Sequence, residues 1–450
     1  MSASPPLFVV LAAGKGTRMK SSEPKVLHKI AGQSMLAHVL ATVSDVQGDV
    51  AVVVGPGMDA VATEAQRVTP SAQVFVQAAQ QGTADAVLAA RPALAEHSGD
   101  VVVLYADTPL IRPETVARLR AALDAGAHIA VLGFRAKDPT GYGRLLTDPK
   151  GTLSAIREEK DASEAERRID LCNSGVMAFR IPDVAKLLGQ IGNANAKGEF
   201  YLTDAIEIGV RSGLRAGVVE CSEDEVLGVN ARDQLAEAEA IWQKRARAQF
   251  MASGVTMIAP ETVWLSFDTQ IAPDVVIEPH VIFGVGVTIE EGVRILGFSH
   301  FEGAVIGKDA RVGPFSRFRP GARIGADAHI GNFVEVKNTT LGPGAKANHL
   351  AYLGDGVIGA KANVGAGTVF CNYDGYAKHK TEIGEGAFIG SNSSLVAPVT
   401  IGAGAYVGSG SVITRDVTPG ALALERSSQE ERPGWAEKFR TLMLRRKATK

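Results

Sequence analysis

From Ile306 to Val336 an apolar residue recurs at every sixth position: Ile306, Val312, Phe318, Ile324, Ile330 and Val336. A second ladder with the same spacing runs Ile383, Ile389, Leu395, Ile401, Val407 and Ile413. Glycine often follows the ladder residue, as at Gly307, Gly313, Gly325, Gly331, Gly384, Gly390, Gly402 and Gly408. A period of six with one inward aliphatic residue per face marks a parallel β-helix, each coil stacking its apolar residues on those of the next. Glycine or asparagine at the corners is expected to supply unusual backbone angles. The period begins after Gly254, so residues 254–450 are assigned to a left-handed parallel β-helix of hexapeptide repeats with a C-terminal tail. The repeat breaks at Lys337–Tyr352 and at Asn372–Thr381. Insertions in a solenoid are expected on loops, and loops carry function.

The first half is written differently. Apolar runs at Leu7–Leu11, Val50–Val54, Val101–Tyr105 and Ile129–Phe134 alternate with amphipathic segments such as Ser34–Val46 and Pro113–Ala125. That alternation predicts a Rossmann-like α/β domain over residues 1–232, with a mostly parallel sheet covered on both faces. Ligands of such sheets bind beyond the carboxyl ends of the strands. Residues 233–253 contain one uninterrupted helical pattern with Leu235, Ala238, Trp242 and Ala246 on a stripe, read as a connecting helix.

Composition narrows the function. A net charge of −2 argues against a nucleic-acid partner, without excluding phosphorylated small molecules. The three cysteines, Cys172, Cys221 and Cys371, fit neither a disulfide framework nor a zinc motif, which points to a reducing cytoplasm. No stretch reaches the length of a membrane span, so no membrane association is expected.

Directly after the first strand comes Leu11-Ala12-Ala13-Gly14-Lys15-Gly16-Thr17-Arg18. It has neither P-loop nor dinucleotide-fingerprint spacing, yet its small residues let the backbone approach a flat base and a phosphate chain. Lys15, Arg18 and the nearby Lys25 supply positive charge. Asp107 follows the strand Val101–Tyr105 and would project at the carboxyl edge of the sheet. A carboxylate beside a phosphate loop suits a Mg²⁺ ligand, because hard cations take oxygen donors.

These residues resemble those of the sugar-nucleotide pyrophosphorylases, and specifically the bifunctional N-acetylglucosamine-1-phosphate uridyltransferase/glucosamine-1-phosphate acetyltransferase family. The resemblance covers essentially the whole chain. It rests on the Leu11 loop, Pro24-Lys25-Val26-Leu27, the Gln77–Thr83 segment, Pro139–Arg144 and Gly228-Val229-Asn230. It implies synthesis of UDP-N-acetylglucosamine, a cell-envelope precursor, from UTP, glucosamine 1-phosphate and acetyl-CoA, with N-acetylglucosamine 1-phosphate between the two steps. It implies that Gln77, Gly82 and Thr83 meet the uracil. Gly143, Glu158 and Asn173 would hold the amino sugar, and Asp107 and Asn230 the Mg²⁺. Leu11, Ala12, Ala13, Gly14, Tyr105 and Ala106 would complete the nucleotide site. The family usually shows Tyr-Gly-Asp where this chain has Tyr105-Ala106-Asp107, so a methyl is expected to intrude near the nucleotide. Cys172-Asn173-Ser174-Gly175 replaces the commoner Asn-Thr-Gly and keeps Asn173.

The chemistry agrees with this. A sugar 1-phosphate is largely dianionic and attacks without a general base, so the site must align it and neutralise the leaving pyrophosphate. Arg18, Lys25 and Mg²⁺ suit that task. Acetyl transfer poses the opposite problem, since a protonated amine must lose protons, and a histidine base is expected. His349 is the candidate, with Arg319, Lys337, Tyr352, Asn363, Asn372 and Tyr373 for the sugar phosphate. The resemblance further implies acetyl-CoA contacts at Ala366, Ser391, Ser409 (where alanine is common) and Arg426, and a homotrimer assembled through the β-helix. The basic run Leu444-Arg445-Arg446-Lys447 is read as a solvated tail. The rival reading is a related sugar-phosphate nucleotidyltransferase whose β-helix only scaffolds or regulates.

Overall fold

The computed structural model describes residues 5–148 and 151–448, and the chain separates into two compact units, Met1–Ala246 and Arg247–Lys450. The first unit is built on nine strands: β1 (Leu7–Leu11), β2 (Asp49–Val54), β3 (Gln73–Val76), β4 (Val101–Tyr105), β5 (Ile129–Arg135), β6 (Arg144–Thr147), β7 (Leu153–Arg157), β8 (Leu171–Phe179) and β9 (Ala216–Cys221). They lie in the order β3-β2-β1-β4-β8-β5-β9-β7-β6. β1 to β4 are parallel, as are β5 and β9, while β8 runs antiparallel between β4 and β5. β6 and β7 form an antiparallel pair at the far edge. The sheet is thus more mixed than the strand–helix alternation alone predicts.

Burial explains why β1 contains no polar residue. Leu7, Val9 and Leu11 enter one apolar cluster while Phe8 and Val10 enter a second, so both faces are covered. The helix Met35–Val46 starts where Ser34 caps it, the Ser34 hydroxyl accepting from the Ala37 N–H at 3.2 Å. The helix expected from residue 233 spans Arg232–Ala252. Its Ala238 is fully buried against Ile30, Met35, Leu110 and Val229, with Leu235, Ile241 and Trp242 packed beside it. Its first half therefore belongs to the core of the first unit.

In the second unit the ladders are the inner column of a β-helix. Ile306 pairs with Ile324, Val312 with Ile330 and Phe318 with Val336, each 18 residues on, so three hexapeptides make one coil. All twelve ladder residues are buried. Phe283, Phe301 and Phe318 continue the column as a stack, with centroids 5.3 and 4.7 Å apart. The two breaks differ physically. Through Lys337–Tyr352 the coil persists one residue short: Ile330 pairs with Ala347 and Val336 with Leu353, both 17 residues on and both fully buried. No loop leaves the solenoid there, contrary to the expectation for an insertion. At the second break Val364 pairs with Ile389, 25 residues on, and the excess forms an exposed loop around Tyr376.

The glycines after the ladder residues serve space more than backbone angle. A Cβ on Gly384 would lie 2.4 Å from the Ala403 nitrogen of the next coil, and most of these glycines have ordinary φ. Outside the coil, Phe298, Phe315, Phe333 and Leu350 form an exposed column one coil apart, 47–62% accessible. The rings of Phe298, Phe315 and Phe333 stack at 4.9 and 5.4 Å. Among the described residues no helix is long and apolar enough to cross a membrane.

The helix packing gives a prediction. A fragment of residues 1–246 should unfold in one cooperative transition. Residues 1–232 would expose the Ile30, Met35, Leu110 and Val229 cluster. The shorter fragment should lose roughly 2–4 kcal/mol, since each buried aliphatic side chain contributes about 1.5–3 kcal/mol. Urea denaturation of the two fragments checks this, and equal midpoints would contradict the packing.

Candidate active sites

The first site lies beyond the carboxyl ends of β1, β3 and β4, where the chain must turn out of the sheet. A cavity of about 540 Å³ opens there, lined by Leu11, Ala12, Ala13, Gly14, Lys15, Lys25, Gln77, Gly82, Thr83, Tyr105 and Asp107 among others. That volume lies within the usual range of small-ligand sites. The loop after β1 folds over Lys25, and only glycine fits at Gly16, where φ is +61° and a Cβ would sit 2.5 Å from the Lys25 Cβ. Gly82 is fixed in the same way, with φ +131° and the Phe200 carbonyl 2.5 Å from where its Cβ would lie.

Lys25 is 7% exposed. Its ammonium donates to Asp107 Oδ2 at 2.5 Å and to Asn230 Oδ1 at 3.0 Å. Asn230 reaches Asp107 because the Val229 N–H donates to the Asp107 carbonyl at 2.8 Å. Two oxygen donors from segments far apart in sequence thus converge on one positive charge, the donor chemistry a hard divalent cation requires.

The proposed sugar-binding residues gather at the crossing of β6, β7 and β8. The Asn173 N–H donates to the Gly143 carbonyl at 2.8 Å, and a Cβ on Gly143 would lie 3.4 Å from Glu158 Oε1. Burial pushes the Glu158 carboxyl above its usual range against an opposing 3.3 Å hydrogen bond from Thr203. Tyr105 is raised too, by burial and then by the charges of Asp107 and Glu158, against a hydrogen bond with Thr83.

One expectation needs correction. The Ala106 methyl does not intrude on the cavity: it is fully buried in the second apolar cluster with Leu104 and Ile111, and its N–H donates to the Leu11 carbonyl. Alternation past β4 sends the residues on either side of it to the cavity instead. Arg18 lies exposed on the short 3₁₀ turn Thr17–Met19 and does not line the cavity, whereas Lys15 does. Sequence reasoning also missed Arg144. Only 1% exposed, it donates to the Tyr142 and Arg167 carbonyls and ties down the segment carrying Gly143.

The second site is organised by Asp355, which the sequence did not single out. Its carboxylate, 6% exposed, accepts from Lys337 Nζ at 3.1 Å, Asn338 Nδ2 at 2.9 Å and Asn372 Nδ2 at 2.5 Å. Burial would raise this carboxyl, but the Asn338 and Lys337 hydrogen bonds and the Lys337 charge outweigh it and hold it below its usual range. Gly354 leaves room for the neighbours, since a Cβ there would meet the Tyr352 hydroxyl at 2.5 Å and Asn372 Nδ2 at 2.7 Å. Arg319 donates to Glu335 at 2.9 Å one coil earlier. Tyr373 opens the exposed loop, its hydroxyl donating to the Gly375 carbonyl at 2.6 Å.

Among the described residues His349 shares no hydrogen bond with the Asp355 group. It ends a strand, Lys346–His349, in a different sheet of the coil, and its Nδ1 faces Asn332 Oδ1 at 2.8 Å. Asn363 pairs with Lys346 in that same sheet. Ala366, Ser391 and Ser409 occupy one corner of successive coils. Their carbonyls accept from the Asn392 N–H at 2.7 Å, the Gly410 N–H at 2.8 Å and the Arg426 guanidinium at 2.8 Å. The four residues proposed for acetyl-CoA therefore form one continuous strip.

Residues 8–170 match the MobA-like NTP transferase domain, and residues 303–338 and 380–415 match the bacterial transferase hexapeptide (six repeats). The chain is 60% identical over 435 residues to the "Bifunctional protein GlmU" of Azorhizobium caulinodans, covering 96% of this chain and 97% of that protein. To the protein of the same name from Bradyrhizobium sp. it is 58% identical over 448 residues, covering 99% of each. A Xanthobacter autotrophicus protein so named is 56% identical over 435 residues, with 96% and 97% covered.

Asp355 yields a prediction for stability. Because its carboxyl is held below the usual range, its contribution is complete above the unfolded carboxylate pKa and is lost as pH falls through the depressed folded value. Asp355→Ala should cost about 1–3 kcal/mol near neutral pH by leaving its donors unpaired. Asp355→Asn should lack the acid-dependent part. Denaturation midpoints measured from neutral pH into the acid range test both.

Proposed function

The chain belongs to the GlmU family of bifunctional proteins, and on that footing we propose that it makes UDP-N-acetylglucosamine in two steps at two sites. The β-helix transfers an acetyl group from acetyl-CoA to glucosamine 1-phosphate. The sheet unit then transfers uridylyl from UTP to N-acetylglucosamine 1-phosphate and releases pyrophosphate. The observation that carries the reading is that Lys25 and Asp107 line a nucleotide-sized cavity and that Lys25 binds both Asp107 and Asn230. Incubation with glucosamine 1-phosphate, acetyl-CoA, UTP and Mg²⁺, with products identified by mass spectrometry, tests it directly.

In the uridylyl step a phosphate oxygen of the sugar attacks the α-phosphorus and the bond to pyrophosphate breaks. Asp107 and Asn230 would hold a magnesium ion, which supplies charge neutralisation for the leaving group. Lys25 brings a second cation to the same place, and Arg18 lies on the loop above it. Gln77, Gly82 and Thr83 would face the uracil, and Gly143, Glu158 and Asn173 the amino sugar. Glu158 suits hydroxyl or amide recognition, because its burial disfavours a free charge.

In the acetyl step the sugar amine attacks the thioester carbonyl and CoA leaves as the thiol. With the Asn332 carbonyl oxygen facing Nδ1, that nitrogen carries the ring proton and Nε2 is left as the base for the amine. Arg319 and Lys337 would take the sugar phosphate, with Tyr352, Asn363, Asn372 and Tyr373 around the ring. Ala366, Ser391, Ser409 and Arg426 would line the cofactor.

His349 and the Asp355 group lie on different sheets of one coil. By the family resemblance the chain would assemble as a homotrimer in which neighbouring chains complete each acetyl site. The exposed Phe298, Phe315, Phe333 and Leu350 column supplies an apolar edge for such contact. Three unpaired thiols suit the cytoplasm.

Two substitutions separate the sites. Asp107→Ala should abolish UDP-sugar formation while acetylation continues, and equal loss of both activities in a folded variant would sink the two-site reading. His349→Ala should lower acetylation about 10²–10⁴-fold, chiefly in turnover, the usual contribution of a positioned base. Uridylyl transfer from preformed N-acetylglucosamine 1-phosphate should stay near wild type. Near-normal acetylation by His349→Ala would place the base elsewhere.

A further inference from the structure

Gln77 stands one residue beyond β3 and lines the nucleotide cavity although it is only 6% exposed. Its amide nitrogen donates twice, to the Gly82 carbonyl at 2.9 Å and to Asp85 Oδ2 at 2.8 Å. A carbonyl and an ionised carboxylate only accept. Turning the amide over would set Oε1 against two oxygens, so its orientation is dictated. Both amide hydrogens are spent on the protein. Gln77 Oε1 has no hydrogen-bond partner among the described residues.

Asp85 is itself held in place. It lies in the first turn of the helix Thr83–Ala89, and the same Oδ2 accepts the Gln81 N–H at 3.1 Å. Gln80, between them, donates to the Ala13 carbonyl at 2.9 Å and ties this segment to the loop after β1. Asp85 is not among the residues lining the cavity, and of the lining side chains it holds Gln77 directly.

We propose that Asp85 is a positioning residue that fixes Gln77 as an acceptor and thereby selects nucleotides whose base carries an imide N–H against those whose ring nitrogen is itself an acceptor. This rests on the reading that Gln77 meets the base. Uracil and thymine offer N3–H to Oε1, whereas cytosine in the same register opposes a lone pair to it. An acceptor buried against an acceptor is left unsatisfied, which discriminates more strongly than a lost contact does. Without Asp85, only the Gly82 carbonyl would still oppose rotation of the amide.

The test compares kcat/KM for UTP, dTTP and CTP in the full-length protein and in Asp85→Ala, Asp85→Ser, Asp85→Asn and Gln77→Ala. Asp85→Ala should lower the UTP:CTP ratio about 10-fold or more, the equivalent of one hydrogen bond, mainly through a raised KM for UTP. The UTP:dTTP ratio should not move, because both bases present the same N3–H. Asp85→Asn should keep most of the selectivity, since its amide oxygen can still accept from Gln77 and Gln81. Asp85→Ser is too short to reach Gln77 but can still accept near the helix start, and it replaces the alanine variant if that one fails to fold. Equal losses with all three nucleotides would make Asp85 a purely structural residue and overturn the inference. So would an unchanged UTP:CTP ratio in the Asp85 variants when Gln77→Ala abolishes selectivity. If Gln77→Ala alters neither the KM for UTP nor the selectivity, the base does not lie at Gln77, and that reading of the nucleotide site fails together with the inference.

Discussion

A buried ammonium must be paired, and in the first unit the pairing of Lys25 fixes the rest of the site. Its partners, Asp107 and Asn230, stand 82 and 205 residues away in sequence. An unpaired charge at 7% exposure would cost several kcal/mol, so the contacts constrain the fold as well as the chemistry. Gly16 must lack a side chain for the loop to pass over Lys25, and Val229 must donate to Asp107 for Asn230 to arrive. The oxygens that satisfy the lysine are also of the kind that would suit a divalent cation.

The second unit answers the same physical problem with the opposite sign. There the buried charge is a carboxylate, Asp355, and its partners come from adjacent coils at fixed vertical spacing. A solenoid places residues 17 or 18 apart directly above one another. Polar networks can therefore be assembled from single substitutions on successive coils, without the long crossovers that the sheet unit needs. His349 and Tyr352, three residues apart, accordingly fall on strands of different sheets.

Legibility in the sequence followed periodicity. The twelve ladder residues, the strand Leu7–Leu11 and the helix from Arg232 all form where repetition or amphipathic spacing placed them. What failed were features without a period. A one-residue shortening of the coil near His349 reads as an insertion, because the inward column passes to Ala347, too small to register as a ladder residue. Ala106 lies one alternation step from Tyr105 and Asp107, and past the end of a strand only the structure tells which neighbour turns inward. Asp355, Asn332 and Asp85 carry no signal of their own, since each acts by holding another side chain. The resemblance to known enzymes proposed residues for ligand contact and passed over the residues that hold those side chains in place.

The two reactions make unlike demands, and the two architectures divide them accordingly. Attack by a phosphate dianion needs neutralisation and alignment, which a cleft at strand ends supplies by bringing distant cations and carboxylates to one point. Attack by an amine needs a proton acceptor whose lone pair is aimed; with His349 in that role, as proposed, the contact of Asn332 Oδ1 with Nδ1 would do the aiming. The same logic recurs at Gln77, where Asp85 and the Gly82 carbonyl spend the amide hydrogens and leave the oxygen free. In both units the orientation of one polar side chain is set by what one edge of it binds within the protein.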